Sequence, residues 1–289
     1  MNITEEKKLE LVHRSEIDKL VKIFNPVFSE YAFSNLYLFR REHDYTIIRD
    51  RDFVFLQGIT YDSMPYLMPL TPLGELGVPY LKGLMAMGIS LFPISEKDLH
   101  IFDHDDDIEF SYNIDDSDYV YTREKIATYP GRNLSKKRNL MKQYRTLYQY
   151  EDKEYSCTHA ADALAVLDKW FEIGGLPLAD TDYVACAEAI NHCADFGLTG
   201  RIFYAEGEPS GFLLGEGLNE NTFVIHFAKG VTSYKGIYVH MYNSLANALP
   251  TQYTYLNFEQ DLGKESLRQA KSTYITDFML HKYRVSLKK

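Results

Sequence analysis

Twice along this chain of 289 residues, a β-rich run leads through a glycine-bearing loop into a helical pattern. Strand and helix periodicities that alternate in this way point to an α/β architecture with mixed sheets. In the first half, residues 45–49, 52–57 and 66–69 are β-rich, and Arg49-Asp50-Arg51-Asp52 forms a hairpin turn. A turn-rich link, Thr71-Pro72-Leu73-Gly74-Glu75-Leu76-Gly77, then opens a helix over 78–87. The second half repeats the order more clearly. Strands over 201–204 and 211–215 flank the turn Glu206-Gly207-Glu208-Pro209. A strand over 222–228 then passes through 229–236 into a helix over 237–248. A strand over 254–258 and a short helix near 264–271 follow. A short helix over 16–24 opens the chain, and helices over 133–150, 161–173 and 181–195 join the halves. The expected organisation is two tandem units, 1–150 and 151–289, packed tightly because no Pro- or Ser-rich linker separates them.

The helix over 133–150 carries the sharpest charge feature. Residues 132–145 hold six basic residues (Arg132, Lys136, Lys137, Arg138, Lys142 and Arg145) and no acid, in a chain of net charge -10. Residues 96–124, just before it, hold eleven acids against two bases. Cationic clefts gather anions, so the basic block is the first candidate for a phosphate or carboxylate partner. The plainer alternative is a solvated face salted by the acidic segment. Arg138, Lys142 and Arg145 stand at i, i+4 and i+7 and share one side. Leu134, Leu140, Met141, Tyr144, Leu147 and Tyr148 are expected to turn inward. Overall acidity argues against generic nucleic-acid binding, but a local stripe of this kind suits the end of a tRNA.

Two loops are the candidates for chemistry. Lys229-Gly230-Val231-Thr232-Ser233-Tyr234-Lys235-Gly236 leaves a strand and opens a helix, where free N–H groups and the positive dipole end suit a phosphate. Asn257-Phe258-Glu259-Gln260-Asp261-Leu262-Gly263 puts polar groups just beyond a strand end, the usual ligand position in open α/β sheets. Glu259 or Asp261 there is placed to take a proton from an attacking amine or hydroxyl. The alternatives are a cap for Asp261 and an ion pair for Glu259. His226 sits in an apolar strand and reads as a satisfied core histidine.

Other chemistries find little footing. GxxxxGK[ST] does not occur, and Gly207-Glu208-Pro209-Ser210-Gly211 has its serine one place late for a nucleophile elbow. His100, His104, Asp103 and Asp105 to Asp107 look like an exposed loop, and no metal is expected. Cys157, Cys186 and Cys193 are odd in number and lack CxxC pairing, which predicts idle thiols in a reducing compartment. The first residues are charged and lack an apolar signal core. The most apolar window, 80–94, is too short to span a bilayer. A cytoplasmic protein without a transmembrane segment is expected.

Two segments together, Tyr129-Pro130-Gly131-Arg132-Asn133-Leu134-Ser135-Lys136-Lys137-Arg138-Asn139 and Asn257 to Gly263 running on through Leu267-Arg268-Gln269-Ala270-Lys271, resemble a bacterial family built on the C-terminal domain of phosphatidylglycerol lysyltransferases. The resemblance extends to Asn35-Leu36-Tyr37-Leu38-Phe39-Arg40 and so covers nearly the whole chain. It implies two tandem domains of the N-acetyltransferase (GNAT) type. It also implies transfer of an aminoacyl group from a charged tRNA to a lipid head group or peptide amine, without a metal. On that resemblance Arg132, Lys136, Lys137, Arg138 and Asn257 would bind substrate, and Glu259 or Asp261 would act as base. Lys229, Gly230, Tyr234, Lys235 and Gly236 would correspond to the pyrophosphate loop of acetyl-CoA enzymes. The alternatives are an acetyl-CoA-dependent N-acetyltransferase and a non-catalytic module that binds an anion or RNA.

Overall fold

The computed structural model describes residues 3–103 and 105–288 and gathers them into two compact units. The first takes in the chain through Asp118, Gln260–Lys264 and the segment from Met279 onward. The second is Tyr119–Glu259 with Glu265–Phe278. The division thus falls at Asp118 rather than near 150, and the basic helix folds within the second unit.

Fourteen described strands form two sheets. They are β1 (Ile3–Lys8), β2 (Thr46–Asp50), β3 (Phe53–Ile59), β4 (Pro65–Pro69), β5 (Ser90–Ile94), β6 (Ile108–Tyr112), β7 (Asp118–Thr122), β8 (Tyr150–Glu154), β9 (Thr199–Ala205), β10 (Glu208–Gly217), β11 (Thr222–Gly230), β12 (Tyr255–Asn257), β13 (Phe278–Leu280) and β14 (Tyr283–Leu287). One sheet runs β1-β2-β3-β4-β5-β14-β6 and the other β13-β7-β12-β11-β10-β9-β8. In each, four consecutive strands pair antiparallel and the fifth joins in parallel: β5 on β4, and β12 on β11. The repeat seen in sequence is therefore a repeat of topology. Each sheet is then finished by strands from distant sequence, β14 beside β5 in one and β7 beside β12 in the other.

Local chemistry explains most of these elements. The β9–β10 hairpin turns on Glu206 and Gly207, both at positive φ, as a two-residue turn matched to strand twist demands. Strands β1 and β8, ITEEKK and YEDKE, close the outer edges of their sheets. Charge on an edge strand blocks further pairing, and the same charge hides these strands from a search for apolar alternation. The helix Ser135–Leu147 starts later than expected, and Leu147 is exposed rather than turned inward. The helix expected over 181–195 is broken into Tyr183–Asn191 and Cys193–Phe196. Among the described residues no helix is long and apolar enough to cross a membrane.

The cysteine expectation fails for two of the three residues. Cys157 and Cys193 are joined in a disulfide, with Cα atoms 5.9 Å apart, and only Cys186 is a buried thiol. They lie 36 residues apart in sequence, so only the fold brings them together. Cysteine usage therefore gives no argument for a reducing compartment.

The first unit is knit by a buried lysine. Lys282 Nζ donates to Glu30 Oε1 at 2.5 Å, Asp118 Oδ1 at 2.6 Å and Gln260 Oε1 at 3.2 Å. The main-chain N–H of Ser29 donates to Asp118 Oδ2 at 3.0 Å. Three separate stretches of chain meet at this one ammonium group, with Lys282 and Asp118 both fully buried. Burial raises the Glu30 carboxyl from 4.5 to about 7: Lys282 opposes the rise and the charge of Asp118 adds to it.

Candidate active site

In the second unit the parallel pairing of β11 with β12 covers Thr222 with Tyr255, Phe223 with Leu256 and Val224 with Asn257. There β12 ends, while β11 continues to Gly230. The sheet forks at this point. The register of β11 against β10 slips just past the fork: Gly215 faces Ile225 but Leu214 faces Phe227, which leaves His226 as the extra residue of a bulge. Gly215 is required here, because a Cβ on it would lie 2.1 Å from the Val224 carbonyl oxygen. A bulge re-aims the side chain it carries, and this one turns an imidazole between two acids. His226 Nδ1 lies 2.8 Å from Glu259 Oε1, and Nε2 lies 3.0 Å from Glu216 Oε1.

The electrostatics of this trio decide its chemistry. The His226 side chain is 1% exposed, against 17% for Glu216 and 16% for Glu259. Burial opposes charge on the ring, yet hydrogen bonds and charge from Glu216 and Glu259 raise its pKa from 6.5 to about 10. At neutral pH both ring nitrogens carry protons and donate, so His226 is no base. Any base at the fork must be a carboxylate, and these two still reach solvent.

The turn after β12 is built to deliver Glu259. Asn257, expected to touch substrate, is fully buried, and its Oδ1 accepts the Glu259 N–H at 2.7 Å. That bond supports Glu259 at φ 59°, a region costly for a non-glycine residue. The Glu259 carbonyl in turn accepts from Lys271 Nζ at 3.1 Å. Asp261 folds with the first unit, is fully buried, and accepts the Gly263 N–H at 2.9 Å. That bond closes the turn ahead of the helix Glu265–Ser272.

The basic block separates into three kinds of residue. Arg138 donates to the carbonyl oxygens of Tyr129 and Gly131, closing the Tyr-Pro-Gly-Arg turn. Lys137 lies 3.5 Å from the centre of the Tyr274 ring and donates to Thr273 Oγ1 at 2.7 Å; burial lowers its pKa to about 8. Arg132, Lys136 and Lys142 are exposed and make no ion pair among the described residues.

The loop 229–236 spends part of its donor set within the fold. Lys229 is 5% exposed, donates to both Asp182 carboxylate oxygens at 2.6 and 2.8 Å, and lies over the Trp170 ring. The N–H of Gly230 goes to the Tyr238 hydroxyl, that of Tyr234 to the Val231 carbonyl and that of Lys235 to the Tyr148 hydroxyl. Those donors are committed within the fold. Gly236, at φ 92°, serves packing, since a Cβ there would lie 2.5 Å from the Leu140 carbonyl oxygen. Among the described residues no cluster of three or more His, Cys, Asp or Glu side chains suits a metal, and His104 lies outside those residues. Glu216 escaped the sequence reading, although an acid between Gly215 and Gly217 inside a strand is a bulge signal.

The chain as a whole is similar to known proteins. A conserved protein of unknown function from Bacteroides thetaiotaomicron shares 25% identity, covers 98% of this chain and 99% of its own, and superposes with a TM-score of 0.86. The structure of L-PGS from Bacillus licheniformis has 13% identity, coverage of 95% and 92%, and a TM-score of 0.60. A tandem GNAT protein from the clavulanic acid biosynthesis pathway has 9% identity, coverage of 98% for both chains, and a TM-score of 0.50. The fold is that of tandem GNAT acyltransferases. No curated protein matches the chain in sequence. The family described as phosphatidylglycerol lysyltransferase, C-terminal, matches residues 21–286, and with that span matched the chain belongs to this family.

Proposed function

We propose that this protein is an acyltransferase that moves an aminoacyl group from aminoacyl-tRNA to an amine or hydroxyl acceptor on a lipid head group or peptide. The observation that carries the reading is the fork of β11 from β12, where the bulged His226 holds Glu259 and Glu216 at partly exposed positions. Glu259 takes the proton of the acceptor as its nitrogen or oxygen attacks the ester carbonyl. A new C–N or C–O bond forms, the ester C–O bond to the tRNA breaks, and the tRNA ribose hydroxyl leaves with a proton. Orientation of the two substrates supplies much of the gain. Arg132 and Lys136, with Lys142, meet phosphates of the tRNA end or head group.

Transfer of labelled amino acid from charged tRNA to phosphatidylglycerol vesicles or peptide amines tests the reading. Glu259→Gln should slow turnover by about 100-fold or more, the usual worth of a positioned base, with thermal unfolding as the check that the variant folds. An Arg132→Ala, Lys136→Ala double variant should raise KM for tRNA and flatten its salt dependence. Wild-type rates in both variants would refute the assignment.

A further inference from the structure

The second unit contains a cavity of about 540 Å³ to which none of the fork residues contributes. Its walls are Met141 and Arg145 on the basic helix, Arg201 on β9, and Asn243, Asn247 and Ala248 on the helix Ile237–Ala248. The cavity is open to solvent, and its volume admits a small molecule. Its polarity is one-sided. Asn243 Nδ2 donates to the carbonyl oxygens of Ile126 and Ala127, and Asn247 Nδ2 to those of Ala127 and Asn243, so the amide donors are committed. The guanidinium groups keep donors to spare.

Arg145 is held in place from behind. Its Nε donates to His240 Nδ1 at 3.2 Å and one terminal nitrogen donates to Asn243 Oδ1 at 3.0 Å. His240 is fully buried and is fixed in turn, with Nε2 lying 2.8 Å from Asp152 Oδ1. Ser244 Oγ donates to the other Asp152 oxygen at 2.7 Å. That carboxylate, the acid whose field Arg201 feels, therefore has both oxygens engaged by other groups. Arg201 Nε is shut off from solvent, so a ligand in the cavity meets the outer nitrogens of this guanidinium, a group shaped to grip an oxyanion through two parallel N–H bonds.

From these observations we infer that this cavity is a binding site for a small molecule bearing a carboxylate or phosphate, gripped by Arg201 and Arg145, with its apolar body against Met141 and Ala248. Asp152, His240 and Asn243 act as positioning residues. They aim Arg145 and leave Arg201 for the ligand. The site stands on side chains that the acyl-transfer reading does not use, so either can fail alone.

Nitrogen-15 NMR of the arginine Nε–H signals tests this on the intact wild-type chain, titrated separately with inorganic phosphate, pyrophosphate, succinate and uncharged tRNA. A saturable shift of the Arg201 Nε–H signal with phosphate or pyrophosphate identifies a phosphate site, and a shift with succinate identifies a carboxylate site; both uphold the proposal. Arg201→Gln should weaken binding by about tenfold or more, and Arg145→Lys should weaken it less. Chloride at matched ionic strength should leave the signal in place. No saturable shift with any small anion overturns the proposal, as does a response to tRNA alone. Unchanged affinity in a folded Arg201→Gln protein overturns it too.

Discussion

Each unit buries a cation between two carboxylates, and the two clusters differ in how far the acids reach solvent. Lys282 in the first unit is sealed, with Asp118 at 0% exposure and Glu30 at 13%. His226 in the second unit is as deeply buried, but Glu216 and Glu259 retain 17% and 16%. The sealed cluster gathers Glu30, Asp118, Gln260 and Lys282 from far apart in sequence, and every contact it makes holds the fold. The open cluster sits on a strand bulge at a fork, and its acids remain reachable by a reactant. The same charge pattern is thus a fastener in one unit and a candidate catalytic device in the other; the fully buried Asp118, which has no counterpart beside His226, separates them.

The largest expected effect comes from breaking the sealed cluster. Lys282→Met strands two buried carboxylates and should destabilise the protein by about 3–5 kcal/mol, the range for removing one partner of a buried ion pair. Urea unfolding followed by circular dichroism measures it. A loss below about 1 kcal/mol would show that the fastener is dispensable.

His226→Gln should cost less, about 1–3 kcal/mol, because its acids can turn to water. It should also alter the pH profile. The native ring holds its proton up to about pH 10, whereas the unfolded ring releases it near 6.5. Stability from this cluster is therefore full below pH 6.5 and is lost as pH rises through 10. The difference between wild type and variant should shrink over that window. Fluorescence of Trp170, the only tryptophan, reads the second unit.

Glu30→Gln should give the smallest change at neutral pH, under about 1 kcal/mol, since it removes a charge that burial already disfavours. Its signature lies in a lower window. A carboxyl raised from 4.5 to about 7 in the native state makes stability fall as pH rises between those values. The variant should lack that slope, and an unchanged slope would move the assignment to another group.

Much of the fold was legible in the sequence, and the exceptions have physical causes. The helix Ile237–Ala248 and the β9–β10 hairpin were read closely because a glycine loop and a Gly-Glu-Pro turn punctuate them. The edge strands β1 and β8 were missed because charge serves an edge and erases alternation. Strands β7 and β14 were missed because their partners lie far away in sequence. At the site, Glu259 stands out as an acid beyond a strand end, but its partners His226 and Glu216 depend on a slip of register that the glycines flanking Glu216 hint at without placing. A lysine beside a glycine loop looks the same in sequence whether it faces a ligand or is engaged, as Lys229 is here, by Asp182.

The distant strands that finish the sheets also fix an order of events during synthesis. Strand β14, which fills the place between β5 and β6, leaves the ribosome only after the entire second unit has been made. Until then the nascent first unit keeps open the edges of β5 and β6, and unpaired edges of this kind invite misassembly. Strand β7 is made early and must wait for β12. Neither unit corresponds to a contiguous gene fragment. Maturation of this protein should therefore be slower than its modest size suggests, and helped by whatever shields those edges in the interval.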